Sequence, residues 1–226
     1  MSRELSRKAY TDLFGATEGD RIRLGDTNLL AEIEKDHTTY GDEAVFGGGK
    51  TMRDGMGMQP GTTQAEGALD YVYTNVVLID PVLGVQKGDL GVRDGEVAGF
   101  GKAGNPDTMD GVDENLIIGA STDAVPADGL IATPGAFDIH VHFNSKELFE
   151  HALASGITTM FGGGYGGGAT TCTPGPENVK RFLQAAEEWP MNVGFYGKGN
   201  SSQPDPLYEQ IEAGACGLKL HEDWGS

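Results

Sequence analysis

The amino-acid sequence predicts an α/β protein with a β-rich N-terminal domain over residues 1–131. About four of the eight βα units of a (β/α) barrel are predicted to follow over residues 132–226. Residues 71–80 (YVYTNVVLID) are rich in β-branched and aromatic side chains, and residues 89–101 have the pattern of a hairpin. From about residue 132, strand and helix patterns alternate, which predicts a parallel sheet.

The N-terminal domain is predicted to consist of loops and short strands. Within residues 89–101, GDLGVR and EVAGFG flank Asp94-Gly95, a dipeptide that favours the two-residue type I′ turn of a hairpin. The sequence contains 36 glycines, well above the usual share of roughly 7%. This content predicts many tight turns and close approaches of the backbone.

The barrel part is predicted from four strands and three intervening helices. Pro176 suits the first turn of one helix, and Asp205 is predicted to cap another with Pro206 in its first position. Because a closed barrel of this kind needs eight strands, four strands leave two unpaired edges. The predicted strands are 137–143, 157–161, 192–196 and 216–221, and the helices are 146–155, 176–188 and 205–214.

Composition excludes several classes of protein. The formal charge of −18, spread along the chain, disfavours nucleic acid and anionic membrane as partners and is typical of proteins from salt-loving organisms. No apolar run approaches the roughly 18 residues of a membrane span, and the N-terminus lacks the pattern of a signal peptide. Only Cys172 and Cys216 occur, which disfavours a disulfide framework. We therefore expect a cytoplasmic protein.

The first candidate site is the pair His140 and His142 on the predicted strand 137–143. Residues two apart on a strand face the same side, so both imidazoles and Asp138 are expected to point one way. Two imidazoles on one face can share a divalent metal, although an isolated pair is more often just polar surface. Here the pair lies at the carboxyl end of the first barrel-like strand, where such folds place catalytic groups.

The second candidate site lies in GLKLHEDW, residues 217–224, where Lys219 and His221 are expected to share a face. Leu218 and Leu220 are then expected to pack against the helices. A cationic lysine repels a metal, but capture of carbon dioxide by the neutral amine gives a carbamate that can bridge two metals. The plain alternative is an ion pair between the lysine and a neighbouring acid such as Glu222.

Motifs along almost the whole chain resemble the urease alpha-subunit family of the amidohydrolase superfamily. The segments that carry the resemblance are GLKLHEDWG, ATTCTPGP at 169–176, GKGNSSQPD at 197–205, EKDHTTYGDE at 34–43, FGGGKTMRDGMG at 46–57 and GKAGNPD at 101–107. The resemblance implies a metal-dependent hydrolase barrel together with a composite β-sandwich domain.

The resemblance also implies roles for individual residues. His140 and His142 would bind one nickel, Lys219 as N6-carboxylysine would bridge two nickel ions, and His221 would hydrogen-bond the carbonyl oxygen of urea. The implied reaction is nickel-assisted hydrolysis of urea to ammonia and carbamate. The implied partners are urease beta and gamma subunits and nickel-insertion accessory proteins.

Departures from the family pattern limit these expectations. The remaining metal ligands and the flap with the catalytic histidine would lie beyond Ser226, so no catalytic residue is predicted in this chain, and we expect the 226 residues alone to be inactive. FNSKEL at 143–148 and the short glycine loop at 162–168 also differ from the family. The alternatives are a truncated, non-catalytic product that associates with urease subunits and, less favoured by the motifs, a cyclic amidohydrolase.

Two further patterns are interpreted as false matches. AVFGGGKT at 44–51 fits a relaxed P-loop but lacks the strand and helix around it, and residues 164–169 fit only a weak dinucleotide fingerprint. His37 and His151 have no partner at ligand spacing and are predicted to be structural or exposed.

Overall fold

The computed structural model describes residues 4–43, 55–164 and 171–221. The chain divides into two compact units, Met1–Pro134 and Gly135–Ser226. No helix in the described ranges is both long enough and apolar enough to cross a membrane.

The first unit is built mainly of strands. Its core contains five fully buried apolar residues: Leu69, Val72, Ala103, Leu116 and Ile118. The elements are α1 (Arg7–Phe14), β1 (Arg21–Arg23), β2 (Leu30–Glu32), β3 (Lys35–Asp36), a 3-10 turn (Gln64–Glu66), β4 (Tyr71–Asp80), β5 (Gly84–Arg93), β6 (Glu96–Gly101), β7 (Asp123–Pro126) and β8 (Ile131–Ala132). A six-stranded sheet has the order β3-β5-β4-β7, with β6 paired to β5 and β8 to β4, and β1 and β2 form a separate ribbon.

The predicted hairpin is confirmed as β5 and β6, which pair antiparallel. Asp94 and Gly95 both have positive φ, 54° and 78°, as a type I′ turn requires. Helix α1 was not predicted from the sequence. The Ser6 hydroxyl caps it by accepting from Ala9 N at 3.2 Å, and it ends at Gly15, where φ is 78°.

A buried carboxylate links β5 to neighbouring segments of this unit. Asp89 is 2% exposed and accepts hydrogen bonds from the backbone N–H groups of Asn75 at 3.0 Å and Ala103 at 2.8 Å. Burial raises the pKa of Asp89 to about 6, because the charged form loses its hydration. Its protonation state is therefore coupled to the stability of the unit.

The second unit alternates strands and helices, as predicted. The elements are β9 (Ala136–His142), α2 (Glu147–Ala154), β10 (Ile157–Gly163), α3 (Pro176–Ala186), β11 (Asn192–Lys198), α4 (Asp205–Glu212) and β12 (Gly217–Lys219). The four strands are all parallel, in the order β12-β11-β10-β9. Among the described residues β9 and β12 are the outer strands, which confirms the expected half-barrel with two open edges.

The helices of this unit cover one side of the sheet. Val141, Met160, Phe149 and Ala152 form the core between β9, β10 and α2, and the Trp189 ring centroid lies 4.6 Å from that of Phe149. This packing orients the carboxyl ends of the strands, where the candidate site lies.

A stacked row of aromatic rings crosses three of the strands. The ring of Phe161 stacks on Phe137 and on Tyr196, with centroid distances of 6.1 Å in both cases. Phe161 directly follows the buried core residue Met160, so strand alternation turns its side chain to the opposite face of the sheet. In the described part of the unit, Phe137 is 65% exposed.

One glutamine fastens the end of β11. Gln210 on α4 is 3% exposed, and its Oε1 accepts from the backbone N–H groups of Lys198 at 2.8 Å and Gly175 at 3.1 Å. Its Nε2 donates to the carbonyl oxygens of Lys198 at 3.1 Å and Pro206 at 2.8 Å. One side chain thus joins α4, the last residue of β11 and the residue before α3.

Two details of the predicted elements are wrong. Helix α4 has Pro204 at its N-cap, and Asp205 occupies the first turn without a capping hydrogen bond, because the chain already adopts helical angles at Pro204. Strand β12 ends at Lys219, and Leu220 is 70% exposed, so Leu220 does not pack against the helices within the described residues.

The two histidines set aside from the site have the expected character. Nε2 of His37 lies 2.7 Å from Oε1 of Gln86, and His151 is exposed on α2. Neither Cys172 nor Cys216 takes part in a disulfide in the described part of the chain.

Candidate metal centre

His140 and His142 lie together at the carboxyl end of β9. Their ring centroids are 5.7 Å apart, the planes are inclined by 52°, and both side chains are exposed. They line a cleft of about 430 Å³, together with Asp138, Val141, Asn144, Ser145, Leu148 and Met160. The structure thus brings the two predicted imidazoles to one cleft.

The strand around these histidines is irregular. Asp138 pairs with Met160 and Val141 with Gly162, so β9 has one residue more than β10 between these pairs. Oδ1 of Asp138 accepts from the backbone N–H of His140 at 3.0 Å. This hydrogen bond fixes the backbone where the extra residue is inserted.

The irregularity corrects the predicted alternation along β9. Strict alternation would put Phe137 and Val141 on one face, but Val141 joins the helix-side core while the Phe137 ring stacks on Phe161. Strict alternation fails because an extra residue shifts every later side chain by one position. The sequence FDIHVH contains no glycine or proline that would have signalled the bulge.

The spacing of the two imidazoles suits a shared metal ion. A metal–nitrogen distance of about 2.1 Å keeps two ligating nitrogens within about 4 Å, and the ring centroids within about 6 Å, of each other. The observed 5.7 Å between the His140 and His142 centroids lies within that reach. Imidazole nitrogen is also a suitable donor for nickel.

Two donors do not complete a metal site. In residues 4–43, 55–164 and 171–221, no group of three or more histidine, cysteine, aspartate or glutamate side chains could hold a metal ion. The described residues therefore fit a metal in the kind of donor, but they supply fewer donors than the four ligands usual for a bound ion.

Lys219 and His221 lie at the end of the opposite outer strand. Lys219 pairs in register with Lys198 of β11, and its carbonyl oxygen accepts from the backbone N–H of Gly199 at 2.8 Å. Both side chains are half-buried. The Lys219 ammonium forms no ion pair with any other described residue, and the alternative partners Glu222 and Asp223 lie outside the described residues.

The two candidate sites share the same edge of the sheet but not the same strand. In a parallel sheet the carboxyl ends of all strands lie at one edge. His142, the last residue of β9, and Lys219, the last residue of β12, therefore lie at the same edge of the sheet. Three spacings of about 4.8 Å separate the outer strands by about 14 Å along the sheet. The side chains can therefore meet only by extending across the barrel interior.

Sequence reasoning missed one residue at this edge. Asn200 pairs with the backbone of His221, donating from Nδ2 to the carbonyl oxygen at 3.0 Å and accepting at Oδ1 from the N–H at 2.8 Å. A polar residue just after the predicted strand 192–196 was the available signal. Residues 165–168 of the glycine loop at 162–168 and the whole P-loop-like segment 44–51 lie outside the described residues.

Comparison with known proteins agrees with this architecture. The family described as urease alpha-subunit, N-terminal domain, matches residues 3–125, and the amidohydrolase family matches residues 131–226. Among solved structures, an L-hydantoinase (dihydropyrimidinase) from Arthrobacter aurescens is similar at a TM-score of 0.50 with 21% identity, over 70% of this chain and 35% of that chain. A likeness at this identity supports the barrel fold alone and gives no support to cyclic amide hydrolysis.

Curated relatives named urease subunit alpha match the whole of this chain. Identity over all 226 residues is 84% with the protein of Haloquadratum walsbyi, 80% with that of Natronomonas pharaonis and 70% with that of Haloarcula marismortui. The chain spans about 40% of the length of these relatives. The family resemblance is thereby confirmed, and the chain belongs to the urease alpha-subunit family.

Proposed function

We propose that this chain supplies the first half of a nickel site that hydrolyses urea to ammonia and carbamate. The carrying observation is the placement of His140 and His142, 5.7 Å apart in one cleft at the carboxyl end of β9. In this proposal residues 1–131 are the N-terminal β-rich domain and residues 132–226 the first half of the amidohydrolase barrel. His140 and His142 hold one nickel ion.

Lys219 is proposed to act as N6-carboxylysine. Its neutral amine nitrogen attacks the carbon of carbon dioxide and loses one proton, so that an anionic carbamate replaces the cation. Its half-buried position and the lack of an ion pair to other described residues support this assignment. The carbamate would then offer two anionic oxygens as donors to metal ions.

His221 is proposed to orient the substrate. An imidazole N–H donates to the carbonyl oxygen of urea and holds the carbonyl carbon where water can attack it. Bound nickel supplies a Lewis acid that polarises the same carbonyl group. The other nickel ligands and the flap with the catalytic histidine are proposed to come from other parts of a cytoplasmic assembly. The proposed partners in that assembly are the beta and gamma subunits, and nickel-insertion accessory proteins are proposed to load the metal.

Nickel titration of the 226-residue chain tests the histidine pair. We expect one weakly bound nickel and no urea hydrolysis, because two imidazoles and an unbridged lysine cannot hold two ions. His142→Ala should weaken binding at least about tenfold, whereas His151→Ala, on the exposed face of α2, should leave it unchanged. Two tightly bound nickel ions, or urea hydrolysis by this chain alone, would contradict the proposal of half a site.

A second candidate is a non-catalytic chain that associates with urease subunits. Among the described residues β9 and β12 each pair on one side only, and an unpaired strand edge can bind another chain. The protein purified from its native cells separates the two candidates. Its intact mass, nickel content and urea hydrolysis would all match a complete enzyme under the first proposal, while an inactive 23.8 kDa chain bound to partner subunits would match the second.

A further inference from the structure

Asn200 continues the pairing of β11 with β12 beyond the end of both strands. The last paired residues of the ladder are Lys198 and Lys219, and Gly199 N–H then donates to the Lys219 carbonyl oxygen at 2.8 Å. At the next step the side chain of Asn200 replaces the backbone. Its amide donates to the carbonyl oxygen of His221 at 3.0 Å and accepts from the N–H of His221 at 2.8 Å.

We infer that Asn200 is a positioning residue for His221. Asn200 fixes the position of the His221 backbone, and thereby the position from which the His221 imidazole reaches urea. This inference rests on the proposed function of His221. Two hydrogen bonds between one planar amide and both backbone groups of one residue define its distance and its orientation. A misplacement of about 1 Å in such a group costs on the order of a hundredfold in rate.

The side-chain chemistry of asparagine matches this task. A carboxamide offers a donor and an acceptor in one plane, as a peptide group does. An ionised aspartate at 200 would keep the bond from the His221 N–H but would set a second carboxylate oxygen against the His221 carbonyl oxygen. An alanine would lose both bonds.

The backbone segment that precedes Asn200 is itself fixed by hydrogen bonds. Gln210 binds both backbone groups of Lys198, two residues before Asn200, from within the buried interface of α4 and β11. Asn200 is half-buried, which limits the access of competing water. Hydrogen bonds from Gln210 to Lys198 and from Asn200 to His221 therefore connect α4 to the residue that carries the proposed substrate-binding imidazole.

Spectroscopy on the 226-residue chain tests the hydrogen bonds directly. With histidine-selective labelling the sequence gives five backbone amide signals, one of which is His221. In Asn200→Ala, exchange of the His221 amide proton with solvent should accelerate at least about tenfold. The other four histidine signals serve as the check that the variant is folded. Ser201→Ala, in the same loop, should leave the His221 signal unchanged, because the Ser201 hydroxyl donates to the Gln203 carbonyl oxygen and accepts from the Gln203 N–H, away from the backbone of His221.

Asn200→Asp separates the two hydrogen bonds. The His221 amide should stay protected, since the carboxylate still accepts from it, but the carbonyl carbon shift of His221 should move to the value of an unbonded group. Protonation of the carboxyl group near pH 4 restores a donor and should return the carbonyl shift towards that of the wild type. Unchanged exchange in Asn200→Ala together with an unchanged carbonyl shift in Asn200→Asp would overturn the inference.

The nickel-loaded holoenzyme carrying the same substitutions tests the functional consequence. Asn200→Ala should lower kcat/KM for urea at least about tenfold at unchanged nickel content, and Ser201→Ala should not. If the wild-type holoenzyme does not hydrolyse urea, the proposed function fails, while the exchange data still decide the role of Asn200. If the wild type is active and Asn200→Ala keeps its kcat/KM, the inference alone fails.

Discussion

Replacement of Gln210 by alanine should markedly destabilise the second unit. The substitution removes the hydrogen-bond partner of three backbone groups that lie outside α4. These groups are the N–H of Gly175 and the N–H and carbonyl oxygen of Lys198. Each such group left unsatisfied costs about 1 kcal/mol at a partly solvated site, so we expect a loss of about 3 kcal/mol in the free energy of unfolding. The Pro206 carbonyl oxygen adds little, because it lies within α4 and helix bonding can still satisfy it.

Guanidinium chloride unfolding followed by tryptophan fluorescence measures this loss. Both tryptophans of the sequence, Trp189 and Trp224, belong to the unit Gly135–Ser226, so the signal reports on the unit that contains Gln210. Gln184→Ala is the matched control, because Gln184 lies exposed on α3. It should change the free energy of unfolding by less than about 0.5 kcal/mol. Equal midpoints for the two variants would refute the reasoning.

An isosteric substitution refines the same test. Gln210→Glu keeps acceptors for the two N–H groups but turns a carboxylate oxygen towards the carbonyl oxygens of Lys198 and Pro206. Burial and repulsion should raise the pKa of the new carboxyl group above about 4.3, so the variant should gain stability relative to the wild type as pH falls. A constant difference between pH 4 and pH 7 would speak against a donor role for Nε2.

Three further predictions concern individual side chains. The pKa of Asp89 is raised to about 6 in the folded state against about 3.9 unfolded, so its share of stability is greatest below pH 3.9 and is lost as pH rises through 6. Asp89→Asn should remove that loss, and parallel curves of unfolding free energy against pH for the two proteins would contradict it. His140→Ala should abolish most nickel binding without a change in thermal midpoint, because the side chain is exposed; a shift of the midpoint above about 4 °C would indicate a structural role instead. Gly163→Ala would place a Cβ 2.3 Å from the backbone of Cys172, so poor expression or a midpoint lower by at least about 5 °C is expected, and a wild-type midpoint would disprove the close contact.

The second unit was predictable because its signals are local. Proline at 176 begins α3 with glycine before it, and glycine at 156 follows α2 as a helix stop. The bulge in β9 was not predictable, since it depends on a hydrogen bond from His140 N–H to the Asp138 side chain within an ordinary strand pattern. The position of the extra residue is set by the pairing of β9 with β10, and the sequence of β9 alone does not show how the two strands pair.

The functional side chains of the candidate site could be predicted from the sequence, but the residue that positions one of them could not. His140, His142, Lys219 and His221 are found from residue type and spacing, because metal and substrate groups need particular side chains. Asn200 acts through its pairing with a residue 21 positions later, and only the adjacency of β11 and β12 reveals it. Helix α1 was not predicted, although Ser6 before it and Gly15 after it are residue types that commonly begin and end a helix.

The two open edges of the four-stranded sheet have a consequence for synthesis. A ribosome making one of the longer relatives must add about one and a half times this length again before such edges can close, which at about 5–20 residues per second takes on the order of tens of seconds. During that time β9 and β12 are available to any other nascent chain at the same stage. The formal charge of −18 opposes such encounters, so neighbouring chains on one messenger repel each other most strongly in dilute salt. Salt screens this repulsion, so the edges of β9 and β12 on neighbouring chains should meet more often as the salt concentration rises.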